Sequence, residues 1–255
     1  MRIAMTRSVS DAITRCELTH VARAPIDVNA ARTQHAAYEA ALAGLGCRVT
    51  RLPDLPDQPD AVFVEDTAVV LDEIAVITHP GAPSRRPETA SVAEALARYR
   101  SLCWIQPPAT LDGGDVLVLG RDVFVGLSGR TSVEGVTQLR RVLEPFGYEV
   151  SGLEVNGCLH LKSAASRVAD RAVLVNADWI DVRRFTGVDV IEVDPAEPFA
   201  ANALRIGATV LHSDMHPRTC ERLERNAITT QVIDVSELAK AEAGVTCCSI
   251  VFELE

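Results

Sequence analysis

The sequence predicts an α/β fold built as a closed ring of repeated units, and three observations carry that reading. A strand, a turn, a second strand, an arginine-bearing loop and a helix recur in that order along the chain. One polar residue stands at the equivalent point of each unit, giving Asp66, Asp112, His160, Asn202 and Cys247 at spacings of 46, 48, 42 and 45 residues. A regular period of about 45 residues marks a stacked or closed repeat array. Units of that length fill the 255 residues with little left over, so a single domain spanning 1–255 is expected.

Arg2 to Thr6 reads as a short strand, and Asp11 to Asp27, polar and broken by Pro25, as a loop. From Val28 to Gly46, Ala37, Ala40, Ala41 and Leu45 recur at helical spacing, with Asn29 as candidate N-cap and Gly44 and Gly46 as the stop. Arg48 to Leu52 is a strand ahead of a proline-rich turn from Pro53 to Pro59. Ala61 to Leu71 and Ile74 to Thr78 form a hairpin with an acidic insert, Glu65-Asp66, and the loop from Pro80 to Glu88 carries Arg85 before a helix that reaches Tyr99. Thr110 to Leu119 and Val123 to Leu127 repeat the hairpin, Arg130 repeats the arginine loop, and Ser132 to Leu143 repeats the helix. Leu159 to Ser166 with Ala172 to Val175, then Ala200 to Ile206 with Ala208 to His212, continue the series, the last followed by a helix to Arg225. Gly244 to Glu253, rich in Thr, Ile, Val and Phe, reads as the strand that opens the fifth unit, completed by the N-terminal strand.

Apolar content of 47% with 24% charged residues is that of a soluble globular protein. No apolar run approaches the ~18 residues of a membrane span, and the start lacks a signal-peptide core, so a cytoplasmic protein without membrane contact is expected. A net charge of −10 argues against a nucleic-acid partner and is compatible with a small cationic substrate. The seven cysteines, odd in number and without a C-x-x-C pair, read as free thiols rather than a disulfide framework or structural zinc site.

Cys247 and Cys248, read as adjacent on a strand, point to opposite faces, so only one of them can serve a given site. A nucleophilic cysteine needs a histidine and a group that orients it, and these lie far apart in sequence. A closed ring brings Asp66, Asp112, His160 and Cys247 to one axis. The same residues have plainer readings: His160 between two leucines as a core histidine, Asp112-Gly113-Gly114-Asp115 as a turn. Glu65-Asp66 inside an apolar run is harder to dismiss, because buried carboxylates are costly unless partnered.

Phe63-Val64-Glu65-Asp66, Pro80-Gly81-Ala82-Pro83-Ser84-Arg85-Arg86, Leu111-Asp112-Gly113-Gly114-Asp115, Leu159-His160-Leu161-Lys162-Ser163 and Thr246-Cys247-Cys248-Ser249 resemble, in order and spacing, the dimethylarginine dimethylaminohydrolases of the pentein, or guanidine-modifying, superfamily. The resemblance implies a five-bladed α/β propeller of five pseudo-repeated ββαβ units, and hydrolysis of dimethyl- and monomethylarginine to citrulline and an amine. It implies Cys247 as nucleophile, His160 as acid and base, and Asp112 as the carboxylate that orients the imidazole. Glu65 and Asp66 are implied to face the substrate, with Asp66 on its guanidinium, and Arg85 and Arg130 to hold its carboxylate. Leu18 and Ala241, through backbone carbonyls, and Asp60 are implied at the α-amino end. No metal or organic cofactor is expected, and a homodimer is left open. Arginine deiminase is the alternative within the superfamily; a silent arginine-binding ring or a thiol redox sensor are alternatives of another class.

Overall fold

The computed structural model describes residues 1–254. Strand β1 (Arg2–Thr6) leads through a long loop and helix α1 (Val28–Gly44) to β2 (Cys47–Arg51), which pairs parallel to it. The second unit comprises β3 (Ala68–Val70), β4 (Ile74–Ile77), α2 (Thr89–Leu96) and β5 (Ser101–Trp104). The third comprises β6 (Val116–Leu119), β7 (Asp122–Leu127), α3 (Val133–Leu143) and β8 (Glu149–Glu154). A short helix, α4 (Leu161–Ala164), precedes β9 (Ala165–Ala169), β10 (Ala172–Val175) and β11 (Asp189–Glu192). Next come β12 (Leu204–Ile206), β13 (Thr209–Ser213), α5 (Pro217–Arg225) and β14 (Thr229–Ile233), then α6 (Ser236–Ala239) and β15 (Ile250–Glu253).

These strands make five separate three-stranded sheets with one repeated topology. In each, the first strand runs antiparallel to the middle one, in four of the five through a tight turn, and the third returns parallel after a crossover. The two-residue turn between β6 and β7 depends on Gly120 at φ 65°, a conformation that side chains with a Cβ resist. The fifth sheet, in the order β15-β1-β2, joins the two ends of the chain and closes the ring. The fourth unit departs from the others: its crossover holds only a single 3₁₀ turn, Val182–Arg184, in a stretch without a helical apolar stripe.

Much of the core lies between a sheet and the helix that covers it. Tyr38 and Leu42 of α1 pack with Ala4, Val92 and Leu96 of α2 with Ile77, and Leu139 and Leu143 of α3 with Val125. All of these are buried, each of the larger aliphatic side chains worth about 1.5–3 kcal/mol of transfer free energy. The first strands face the axis. Val70, Val118, Arg167, Leu204 and Val251, one from each, line an axial cavity of about 490 Å³.

Two local expectations are corrected. The N-cap of α1 is Asp27, whose side chain accepts from the Asn29 and Ala30 amides; Asn29 lies inside the helix. The ring residues sit in short helical or irregular turns just ahead of the first strands, not on them: Asp66 in Val64–Thr67, Asp112 before Gly113–Asp115, His160 before α4, Cys247 in the turn before β15. Apolar Val and Ile continue on either side, so strand composition hides the break.

Candidate active site

The four turns converge at one mouth of the axis, where Asp66, His160 and Cys247 line a narrow cleft with Asp60, Arg85, Arg130 and Ala241. Asp112 stands behind His160, fully buried, its Oδ2 3.0 Å from Nε2 of the imidazole. Its other oxygen accepts from the Gly81 amide at 2.9 Å, which fixes the carboxylate plane. Nδ1 of His160 faces Asp66 Oδ1 at 3.7 Å. Burial by itself lowers the imidazole pKa, but the carboxylates of Asp66, Asp112 and Asp115 outweigh it and raise it to about 9.

Gly114 makes this packing feasible. Its amide donates to Asp66 Oδ1 at 3.0 Å, and a Cβ there would lie 2.6 Å from that oxygen and 2.7 Å from His160 Nδ1. Asp115, the last residue of the same turn, accepts from the Leu161 amide at 2.9 Å and from the hydroxyls of Ser128 and Thr131, tying the His160 segment to the Arg130 loop. Burial pushes its carboxyl up to about 6, against the opposing pull of His160.

Cys247 is half-buried with its Sγ accepting from the Gly244 amide at 3.3 Å, while Cys248 turns into the apolar core. The two thiols part because a turn, rather than a strand pleat, separates them. Burial, followed by the charges of Glu65 and Asp66, pushes the Cys247 thiol up to about 12. At neutral pH the resting pair is therefore a thiol and an imidazolium.

The residues implied for substrate binding are distributed unevenly. Arg85 is buried and most of its donors are committed within the protein: to Asp66, to Glu88 at 2.8 Å, and to the carbonyls of Phe63 at 2.7 Å and Asp60 at 3.2 Å. Burial opposes the charge on Asp66, yet His160 and Arg85 together hold that carboxyl below the usual range. Arg130 is half-buried and, among the described residues, its side chain donates only to Thr19 Oγ1, at 3.3 Å, which leaves donors at the cleft that it lines. Asp60 accepts the Glu17 amide at 3.2 Å, and burial raises its pKa to about 6. Glu65 departs from the expected orientation: its carboxylate is bound by Lys162 Nζ and Thr246 Oγ1, each at 2.6 Å, between the cleft and the axial cavity. Leu18 packs half-buried against the core, whereas its neighbour Glu17 lines the cleft.

Several lining residues escaped the sequence reading: Glu17, Phe63, Leu159, Ser163, Glu242 and Ala243. Ser163 was accessible in principle, lying one helical turn after His160. Glu242 was not, since its carboxylate acts across 223 residues, accepting the Thr19 amide at 2.7 Å. Asp66, Asp112 and His160 also have the spacing of a metal-ligand group, their ligand atoms within 4.8 Å of one another. Here the cationic partners of those carboxylates are supplied by the chain itself, as Arg85 and the imidazolium.

The family description "N,N dimethylarginine dimethylhydrolase, eukaryotic" matches residues 10–250, nearly the whole chain. The chain belongs to the dimethylarginine dimethylaminohydrolase family. A dimethylarginine dimethylaminohydrolase of Streptomyces coelicolor is 40% identical over 97% of this chain and 95% of its own length. The Pseudomonas aeruginosa dimethylarginine dimethylaminohydrolase, solved as a cysteine-to-serine mutant complexed with citrulline, superposes with a TM-score of 0.93 at 31% identity, covering 98% of both chains. The N-terminal domain of the cyanobacterial arginine dihydrolase ArgZ, at 16% identity, matches with a TM-score of 0.86 over 98% of this chain and 97% of that one, a likeness of fold alone. The five-unit ring of this family member is thus the pentein propeller.

Proposed function

We propose that the chain hydrolyses Nω,Nω-dimethyl-L-arginine and Nω-monomethyl-L-arginine to L-citrulline and the corresponding amine through a thiouronium on Cys247. The observation that carries this reading is the meeting of thiol, imidazolium and carboxylates in one cleft, each from a different unit of the ring.

A guanidinium entering the cleft meets Asp66, and its positive charge counters the burial and the two carboxylates that together hold the thiol protonated. The thiol proton is then released to solvent and the thiolate attacks the guanidinium carbon, forming the C–S bond. The imidazolium of His160 gives its proton to the departing amine as the C–N bond breaks. The neutral imidazole next takes a proton from water, whose oxygen attacks the thiouronium carbon. The C–S bond breaks, citrulline leaves and the thiol is restored. Asp112 holds the ring and favours its charged form throughout, as the third member of a triad does. Arg130, with free donors at the cleft edge, receives the substrate carboxylate.

The cleft itself has about 30 Å³ of free space, room for one or two waters, so substrate entry requires its rim to part. The rim segment around Thr19 is fastened through Glu242 and Arg130. The test compares steady-state rates with dimethylarginine, monomethylarginine, arginine and agmatine. Dimethylarginine or monomethylarginine should be preferred, and Cys247→Ser should abolish citrulline formation. A preference for arginine would instead make the chain a deiminase. Arg130→Ala should raise KM for the amino-acid substrates by about 10–100-fold while leaving agmatine, which has no carboxylate, nearly unaffected. Equal effects on both would remove Arg130 from carboxylate binding.

A further inference from the structure

Asn202 occupies the fourth position of the ring, equivalent to Asp66, Asp112, His160 and Cys247, and the proposed chemistry gives it no role. Its side chain is almost fully buried, with 9% exposure, and fully bonded. Oδ1 accepts from the Thr246 amide at 3.0 Å. Nδ2 donates to Thr246 Oγ1 at 3.0 Å and to the carbonyl of Lys162 at 3.1 Å. The orientation of the amide is fixed by its partners, since one end meets an N–H and the other a carbonyl. Thr246 immediately precedes the nucleophile, and Lys162 lies two residues beyond His160.

We infer that Asn202 is a positioning residue that clamps the Cys247 turn onto the His160 segment and so sets the sulfur in line with the imidazole. On its other side the turn is held by Glu65, whose amide donates to the Cys247 carbonyl at 3.2 Å; from the His160 side the bonds of Asn202 hold it. Within it, the Cys247 amide donates to the Gly244 carbonyl at 3.3 Å, and the Gly244 amide donates to the sulfur. Between Asn202 and this turn there is no spare room: a Cβ on Gly244 would lie 2.3 Å from Cγ and Oδ1 of Asn202. The clamp also closes a circuit. The Thr246 hydroxyl donates a hydrogen bond to Glu65, and Glu65 in turn accepts from Lys162 Nζ, on the residue whose carbonyl Asn202 holds. Four side chains from four units are thereby linked in one hydrogen-bonded circuit. Removing the amide would leave the buried Thr246 N–H unpartnered and the Lys162 carbonyl with only the Ser166 hydroxyl at 3.5 Å, so the turn would shift to find other partners.

The inference rests on the proposed reaction for its kinetic readout, and the test includes two measurements that do not. Asn202→Ala should lower kcat by about 100-fold, the size expected of a roughly 1 Å misplacement, with KM for dimethylarginine moved less than about threefold. Asn202→Asp keeps the acceptor for the Thr246 amide but loses both donors, and should recover little of that loss. Alkylation of Cys247 by iodoacetamide should become faster in Asn202→Ala as the turn loosens. Gly244→Ala should lower the melting temperature, and by less in the Asn202→Ala background, where the side chain it strikes is gone. A kcat within about threefold of wild type in Asn202→Ala overturns the inference, as does a loss carried by KM alone. So do unchanged alkylation together with additive melting shifts. If the wild-type chain turns over none of the methylated arginines, the proposed function fails, while alkylation and melting still read the clamp.

Discussion

His160 sits among more negative charge than it can neutralise, and its chemistry follows from that imbalance. With its pKa raised to about 9, the imidazolium persists through neutral pH, and the leaving amine finds its proton already in place. Turnover should therefore fall above about pH 9, as the proton donor is lost. Asp112→Asn removes one of the groups that sustain the charge and should bring that alkaline limb down by about one pH unit, besides lowering kcat. A pH–rate profile of the variant that keeps the wild-type limb would remove Asp112 from this role. Arg85 and Arg130 were equivalent in sequence, each in a loop after a hairpin, and are not equivalent in space. Arg85 is walled in by Asp66, Glu88 and two carbonyls, so Arg85→Ala strands buried carboxylates and should cost about 3–5 kcal/mol of stability by chemical denaturation. Arg130→Ala, at the half-buried rim, should cost less than about 1 kcal/mol.

At the scale of elements, the turn Asp112 to Asp115 carries the site, and its glycines are steric necessities. Gly114→Ala inserts a methyl between Asp66 and His160 and should reduce kcat by about 100-fold or more; retention of full activity would mean that the two side chains can separate without consequence. Helix α1 offers a plainer test. Asp27→Ala should lower stability by about 1 kcal/mol, whereas Asn29→Ala should be nearly neutral, as measured by denaturant midpoint. The period of the ring, the alternation of hairpins and helices, and the ring positions of Asp66, Asp112, His160 and Cys247 were legible in the sequence, because a repeated unit repeats its punctuation. The local conformation of those residues was not. Val64, Val116 and Ile250 have strand preferences on either side of each break, and nothing in composition marks the single helical turn that lifts a side chain toward the axis. The inward turn of Glu65 was equally hidden, since its partners Lys162 and Thr246 are separated from it by 97 and 181 residues.

For the whole molecule, the same charges that prepare the site bear on stability. A histidine whose folded pKa is raised contributes stability that is complete below its ordinary value of ~6.5 and is lost as pH climbs through about 9. By linkage the loss amounts to at most about 3 kcal/mol, and thermal melting should decline across that window in wild type and more weakly in His160→Gln. Asp66 acts at the other end: its depressed pKa gives stability that is present above the ordinary carboxylate range and lost as pH falls. The sheet β15-β1-β2 has a consequence of a different kind. The Met1 amine lies 2.7 Å from the Leu254 carbonyl, so a short linker could weld the two ends, and the chain could be opened instead at the exposed Thr186–Gly187 in the crossover between β10 and β11, which lacks an α-helix. Such a circular permutant would synthesise its nucleophile in mid-chain and still turn over substrate, because what the site requires is an unbroken circumference, indifferent to the point at which the thread starts.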